Sequence, residues 1–302
     1  MRELELIRLY FYLCECNDRQ LFAYHQRFSN NQHPKNEKLD DVELLTIYLY
    51  CRCFEGRHRI KDIHDFANRY MKSWFPHLMN YQNFNFRLNR LCSVFQVIAQ
   101  EMLDKMQSID NRLIMSNQAL IDSMPIMLCC GKRVGKVARE LSTKSYCATK
   151  NLYYYGLKLH VIAFRQSGKL PFPGYIGITT AEENDLEAIR NQLECYSNTI
   201  FYGDKAYADK KLRDSLQTHV SSEILTPIKL VKGNTEIERQ FKKAADDLFS
   251  TAVSRIRQPI ESYFNALIEK TGIQRASKVR NLNGLLLHVF GSITTKLLTD
   301  LF

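Results

Sequence analysis

The chain has 302 residues, 45% of them apolar and 11% aromatic, so it can bury a sizeable core, and wholesale disorder is excluded. No window approaches eighteen apolar residues, which excludes a membrane-spanning helix, and the mixed-charge start "MRELELIRLY" does not read as an export signal. The net charge is +10 and unevenly spread: residues 1–110 hold 15 Lys and Arg against 14 Asp and Glu, and residues 111–302 hold 27 against 18.

From the amino terminus to about residue 110 the pattern is helical. "KLDDVELLTIYLYCRCFEG" offers Asp40 or Asp41 as an N-cap and Gly56 as a stop. "RIKDIHDFANRYMKSWF" and "FRLNRLCSVFQVIAQEML" repeat apolar residues at steps of three and four. A helix-turn-helix and a plain helical bundle both fit this region, which is read as an all-helical DNA-binding or dimerisation domain over 1–110.

After residue 115 the period changes. "QALIDSMPIML", "NLYYYGLKLHVIAF", "PGYIGITTA", "NTIFYGD" and "SSEILTPIK" read as strands, with "ENDLEAIRNQLECY" a helix between two of them, capped by Asn184 or Asp185. "RIRQPIESYFNALIEKTG" reads as an amphipathic helix running from 255 to Gly272, and the polar stretch 232–254 as a mobile connection. Strands in succession, then alternating with helices, predict an α/β fold with a mixed sheet flanked by helices over 111–302.

The nine cysteines read as reduced thiols of a cytoplasmic protein. "CEC" and "CRC" have neither the spacing nor the histidines of a zinc site, and "GKRVGK" lacks the full phosphate-loop pattern. Residues 124–165 carry eight basic side chains and one acid, Glu140. Such a stretch suits a polyanion or a solvated basic face.

Three acids stand out. Asp122 lies inside an apolar strand, Asp204 ends the strand "TIFYGD", and Glu261 shares a helix face with Phe264 and Ile268. A buried carboxylate is costly unless a charge meets it, and carboxylates from three elements make an oxygen-rich site for a hard divalent cation. Capping and salt-bridging roles fit the same acids on spacing alone.

The segments "LIDSMPI" (120–126), "YYGLKLH" (154–160), "FYGDKAY" (201–207) and "RIRQPIESYFNALIEK" (255–270) resemble, in order and separation, the signatures of DDE transposases of bacterial insertion sequences. That resemblance implies an RNase H-like fold, with Asp122, Asp204 and Glu261 as catalytic ligands of Mg²⁺ or Mn²⁺, two ions in all. It implies cleavage at the ends of an element and transfer of the 3′-hydroxyl to target DNA, by a homodimer acting on double-stranded DNA in the nucleoid. Arg257, four residues before Glu261, matches the R-x-x-x-E pattern and would meet a phosphate. Ser254 and Ile268 stand where that pattern has a tyrosine and a lysine, and Lys270 is the nearest cation to the latter.

Further expected DNA contacts are Lys132, Arg133, Lys158 and Lys205, with Arg275 and Lys278 in a basic turn. Lys158 and His160 share one side of their strand. Tyr207 reads as a packing residue under the next helix. A non-catalytic DNA-binding regulator and a nuclease that cuts without joining are the rival readings.

Overall fold

The computed structural model describes residues 2–19, 21–22, 39–109, 117–131, 137–228 and 236–302. The chain divides into two compact units, one of residues 1–106 with 267–302 and the other of residues 107–266. Residues 267–302 group with the amino-terminal helices.

The first unit is helical: α1 (Glu3–Asp18), α2 (Asp41–Phe54), α3 (Ile60–Tyr70), α4 (Tyr81–Arg90), α5 (Cys92–Ile109) and the carboxy-terminal α10 (Leu282–Leu301). Asp40 caps α2 in a reciprocal capping box with Glu43, and Gly56, at φ +61°, turns the chain after it. The segment 86–103, read as one helix, is split at Leu91 into α4 and α5. Residues 267–302 belong here because α10 is apolar on most of its surface: Leu285, Leu287, Val289, Ile293, Leu297 and Leu298 are all buried. Its Thr294 hydroxyl donates to the Phe95 carbonyl of α5 at 2.8 Å.

The second unit holds a six-stranded sheet. Its strands are β1 (Gln118–Cys130), β2 (Thr143–Cys147), β3 (Leu152–Phe164), β4 (Phe172–Thr180), β5 (Ile200–Tyr202) and β6 (Glu223–Leu225). β3 pairs antiparallel with β1 along one edge; along the other it pairs with β2 through 152–156 and with β4 through 157–164. β5 runs parallel to β1, and β6 parallel to β5. Strand β2, rich in Thr, Lys and Ser, carries too little apolar alternation to be read from sequence.

Helices α6 (Asp185–Leu193) and α7 (Lys210–Val220) cover one face of this sheet. Leu186, Ile189, Leu193, Leu212 and Leu216 pack there with Ala119, Ile121, Ile162, Phe164 and Phe201. Asn184 caps α6, one of the two candidates read from sequence. Helix α8 (Glu236–Arg257) packs against β1 and β5. The expected mobile connection over 232–254 is therefore helical from 236 onward, with 232–235 outside the described residues. Its composition suits a helix, being rich in Ala, Glu, Lys and Arg with neither glycine nor proline.

The expected single helix from 255 is likewise two. α8 ends at Arg257 and α9 (Pro259–Thr271) begins on a proline, which has no N–H to donate and is favoured at a helix's first position. No helix among the described residues is long and apolar enough to cross a membrane, and all nine cysteines are free thiols.

Candidate active site

Strand register brings the two aspartates toward each other. The parallel pairs Gln118–Ile200, Ala119–Phe201 and Leu120–Tyr202 share an offset of 82 residues, the same as that between Asp122 and Asp204. Each aspartate thus lies two residues beyond the last common pair. Between Tyr202 and Asp204 sits Gly203, whose N–H still donates to the Leu225 carbonyl of β6 at 3.1 Å. A Cβ at 203 would come within 3.0 Å of the Ile121 and Tyr207 side chains, so glycine is what lets the strand end close against β1.

Alternation along β1 separates the two faces. Ile121 points into the core beneath α6 and α7, and Asp122 points to the opposite face, where α8 packs. Arg257, the last residue of α8, donates from Nη1 to Asp122 Oδ2 at 2.5 Å and from Nη2 to Glu261 Oε1 at 2.9 Å. One guanidinium thus bridges two of the three acids. Asp122 Oδ1 accepts the Ser123 N–H at 2.9 Å, and Asp204 Oδ1 accepts the Ala206 N–H at 2.8 Å, capping a short 3₁₀ turn.

The Asp122 carboxyl is pushed up to about 6, first by burial and further by the negative charges of Asp204 and Glu261; Arg257 and the Ser123 N–H act in the opposite direction. Three acids from β1, the end of β5 and the first turn of α9 therefore share one electrostatic neighbourhood. Residues 94–281 match the family model described as the transposase DDE domain.

The chain belongs to that family.

The matched span takes in all three acids and Arg257. No curated protein matches the chain.

Hard oxygen donors of this kind suit a hard divalent cation, and the cluster already accepts a positive charge between two of its members. Among the described residues, however, no group of three or more His, Cys, Asp or Glu converges as metal ligands must. The donor chemistry fits such a metal, in an arrangement held here by arginine.

The other expected site residues of the transposase domain fall elsewhere. Lys158 pairs across strands with Pro125, which puts it on the sheet face opposite Asp122. Its ammonium lies 3.0 Å from Asp185 and donates to the Glu183 carbonyl at 2.7 Å. On the same face, buried His160 bonds Thr179 at 2.8 Å, and burial pushes its ring down to about 4. Tyr207 is buried in the core, as the packing reading had it. The sequence grouped Lys158 and His160 on one side of their strand without showing which face of the sheet that is, because alternation tells only which residues share a face.

Lys205 is exposed beside Asp204. Lys270 belongs to the helical unit and donates to the Cys53 carbonyl at 2.7 Å, at the carboxy-terminal end of α2. Arg275 and Lys278 are exposed in that same unit. Lys132 and Arg133 lie outside the described residues.

Proposed function

We propose that this chain is a metal-dependent DNA transposase of insertion-sequence type. Membership of the DDE domain family implies nuclease or transposase activity on DNA, and such domains generally use divalent metals. The observation that supports the finer reading is the shared neighbourhood of Asp122, Asp204 and Glu261, in which two carboxylates perturb the third. The order β4-β3-β1-β5-β6, with β5 and β6 parallel to β1, supports an RNase H-like sheet whose second aspartate follows a strand beside the first.

Asp122, Asp204 and Glu261 would hold Mg²⁺ or Mn²⁺, as one or two ions, which when bound supplies activation of the attacking oxygen and neutralises charge on the scissile phosphate. Asp122 must be ionised for this, which its carboxyl achieves above about pH 6. Arg257 keeps the cluster from self-repulsion until then. Released from the acids, its planar fork suits a phosphate of the bound strand. Glu261, exposed at the start of α9, is free to turn toward either partner.

In the first step water displaces the 3′-oxygen at the element's end, leaving a 3′-hydroxyl. In the second that hydroxyl attacks a target phosphorus, its proton leaving as the new P–O bond forms and the old one breaks. A homodimer, holding one element end per protomer and working on nucleoid DNA, meets the need to process two ends together. The helical unit would supply DNA-binding or dimerisation surface.

The test is strand cleavage and joining on a labelled element-end duplex by wild type and Asp204→Asn. Loss of both with duplex binding retained supports the reading. A mutant that joins ends at the wild-type rate removes Asp204 from the chemistry. A wild type that cuts and never joins is the nuclease, and one that only binds is the regulator.

A further inference from the structure

The helical unit contains a buried cation that no anion meets among the described residues. Arg52 on α2 is 2% exposed. Its guanidinium donates to Thr295 Oγ1 at 3.1 Å, Tyr48 Oη at 3.1 Å, Ser292 Oγ at 2.8 Å and the Thr271 carbonyl at 3.3 Å. Every one of these acceptors is neutral, and among the described residues no carboxylate pairs with it. The same unit shows the usual solution: Arg87, also buried, bonds Asp41 at 2.5 Å. A buried charge is retained at a large desolvation cost unless something of opposite sign meets it.

Arg52 lies in the wall of a cavity of about 720 Å³, the size of a small-ligand pocket. Two segments far apart in sequence furnish the rest of its charge: Arg59 and Lys61 from the start of α3, and Arg275, Lys278 and Arg280 from the turn before α10. No Asp or Glu is among the residues lining it. These five cations are all exposed and form no ion pair among the described residues. The first turn of α3 opens here without a side-chain cap, so its backbone N–H groups add to the positive field. The two histidines of the wall respond to it. His58 and His288 are both pushed down, by burial first and then by the Arg52 charge, His288 to about 4.

We propose that this cavity is a seat for the phosphodiester backbone of DNA, built into the helical unit from residues separate from the acidic cluster, with Arg52 as its buried floor charge. The proposal rests on the transposase reading for its choice of polyanion. Nucleic-acid backbone is the ligand that offers several phosphates to cations spread along one groove.

The experiment measures binding of a short fluorescein-labelled duplex to the full chain by anisotropy, in chelator and across a salt series. It compares wild type with Arg59→Ala/Arg275→Ala/Lys278→Ala and with Lys72→Ala/Lys210→Ala/Lys211→Ala, three exposed lysines from outside the cavity. The groove triple is expected to bind at least about tenfold more weakly, with a salt slope shallower by about three, while the control stays within about twofold of wild type. A single Lys278→Glu should lose more than Lys278→Ala, and it guards against a triple mutant that fails to fold, which far-ultraviolet circular dichroism would reveal.

Equal losses in the two triples would mean diffuse charge and overturn the seat, as would wild-type affinity and slope in the groove triple. So would a wild type that ignores duplex. Asp204→Asn is carried through the same titration. Normal binding by that variant with normal end joining would remove Asp204 from the chemistry, and a wild type that binds duplex and never joins ends would sink the transposase reading, in both cases leaving the groove result standing.

Discussion

The two units treat buried charge in opposite ways. In the sheet unit a partly buried acid, Asp122, shares its surroundings with two more acids and is met by Arg257. In the helical unit a buried cation, Arg52, is ringed by hydroxyls and a carbonyl, with further cations lining the same cavity. The first has an internal counter-ion that an arriving cation must displace; the second leaves its counter-ion to come from outside. A charge met within the chain is in competition with a ligand, and a charge met only by neutral oxygens is a standing demand for one.

The largest expected effect lies on the acidic side. Asp204→Asn should reduce strand cleavage by at least about a hundredfold, since even partners one step removed from a metal cost about ten- to a hundredfold. Duplex affinity should stay unchanged, as read by anisotropy beside a gel-based cleavage assay. A residual activity within tenfold of wild type would end the parallel between a cluster that uses its charge and a groove that presents it.

Stability comes next and tests the cation side directly. Arg87→Met removes the guanidinium from the buried Asp41 carboxylate and should cost about 3–5 kcal/mol by urea titration. Arg52→Met strands no carboxylate and should cost only about 1–3 kcal/mol, the value of its hydrogen bonds. Equal costs would mean that Arg52 has an anionic partner after all.

The acid side has a pH signature. Asp122 titrates near 6 in the folded protein against an ordinary value of 3.8. The folded state therefore binds the proton more tightly than the unfolded chain, and this group's contribution to stability is lost as pH rises from about 4 through about 6. In chelator, Asp122→Asn should stabilise the protein at pH 7.5, by about 1–3 kcal/mol, with the gain vanishing near pH 4. A gain that is flat with pH would detach the shift from Asp122. The smallest effect is steric: Gly203→Ala should cost about 1–2 kcal/mol in thermal unfolding by crowding Ile121 and Tyr207.

The proximity of the acids was readable because strand pairing keeps count along the chain: Asp122 and Asp204 mark the same height on neighbouring strands. The helix boundary between Arg257 and Glu261 was also present, in Pro259, yet the amphipathic pattern on either side hid it. Arg52 gave no signal. It stands in "YCRCF" with nothing acidic or basic beside it except Glu55, and its partners at 271, 292 and 295 are met only through tertiary packing. Lys158 failed for a different reason, since alternation groups residues without orienting the sheet. The polar run 236–254 misled because a polar helix and a loop share low hydropathy.

The offset of 82 residues between the aspartates is mostly connection: a hairpin, two further strands and a helix intervene. Insertions or deletions in the turns at 148–151, 165–171 or 194–199 would change that number without moving either carboxylate. What the chain has to conserve is far shorter, the step of two from Leu120 to Asp122 and the equal step from Tyr202 to Asp204. Relatives with any overall separation can keep the pair opposed, whereas removing Gly203 alone would rotate the second acid to the other side of its strand.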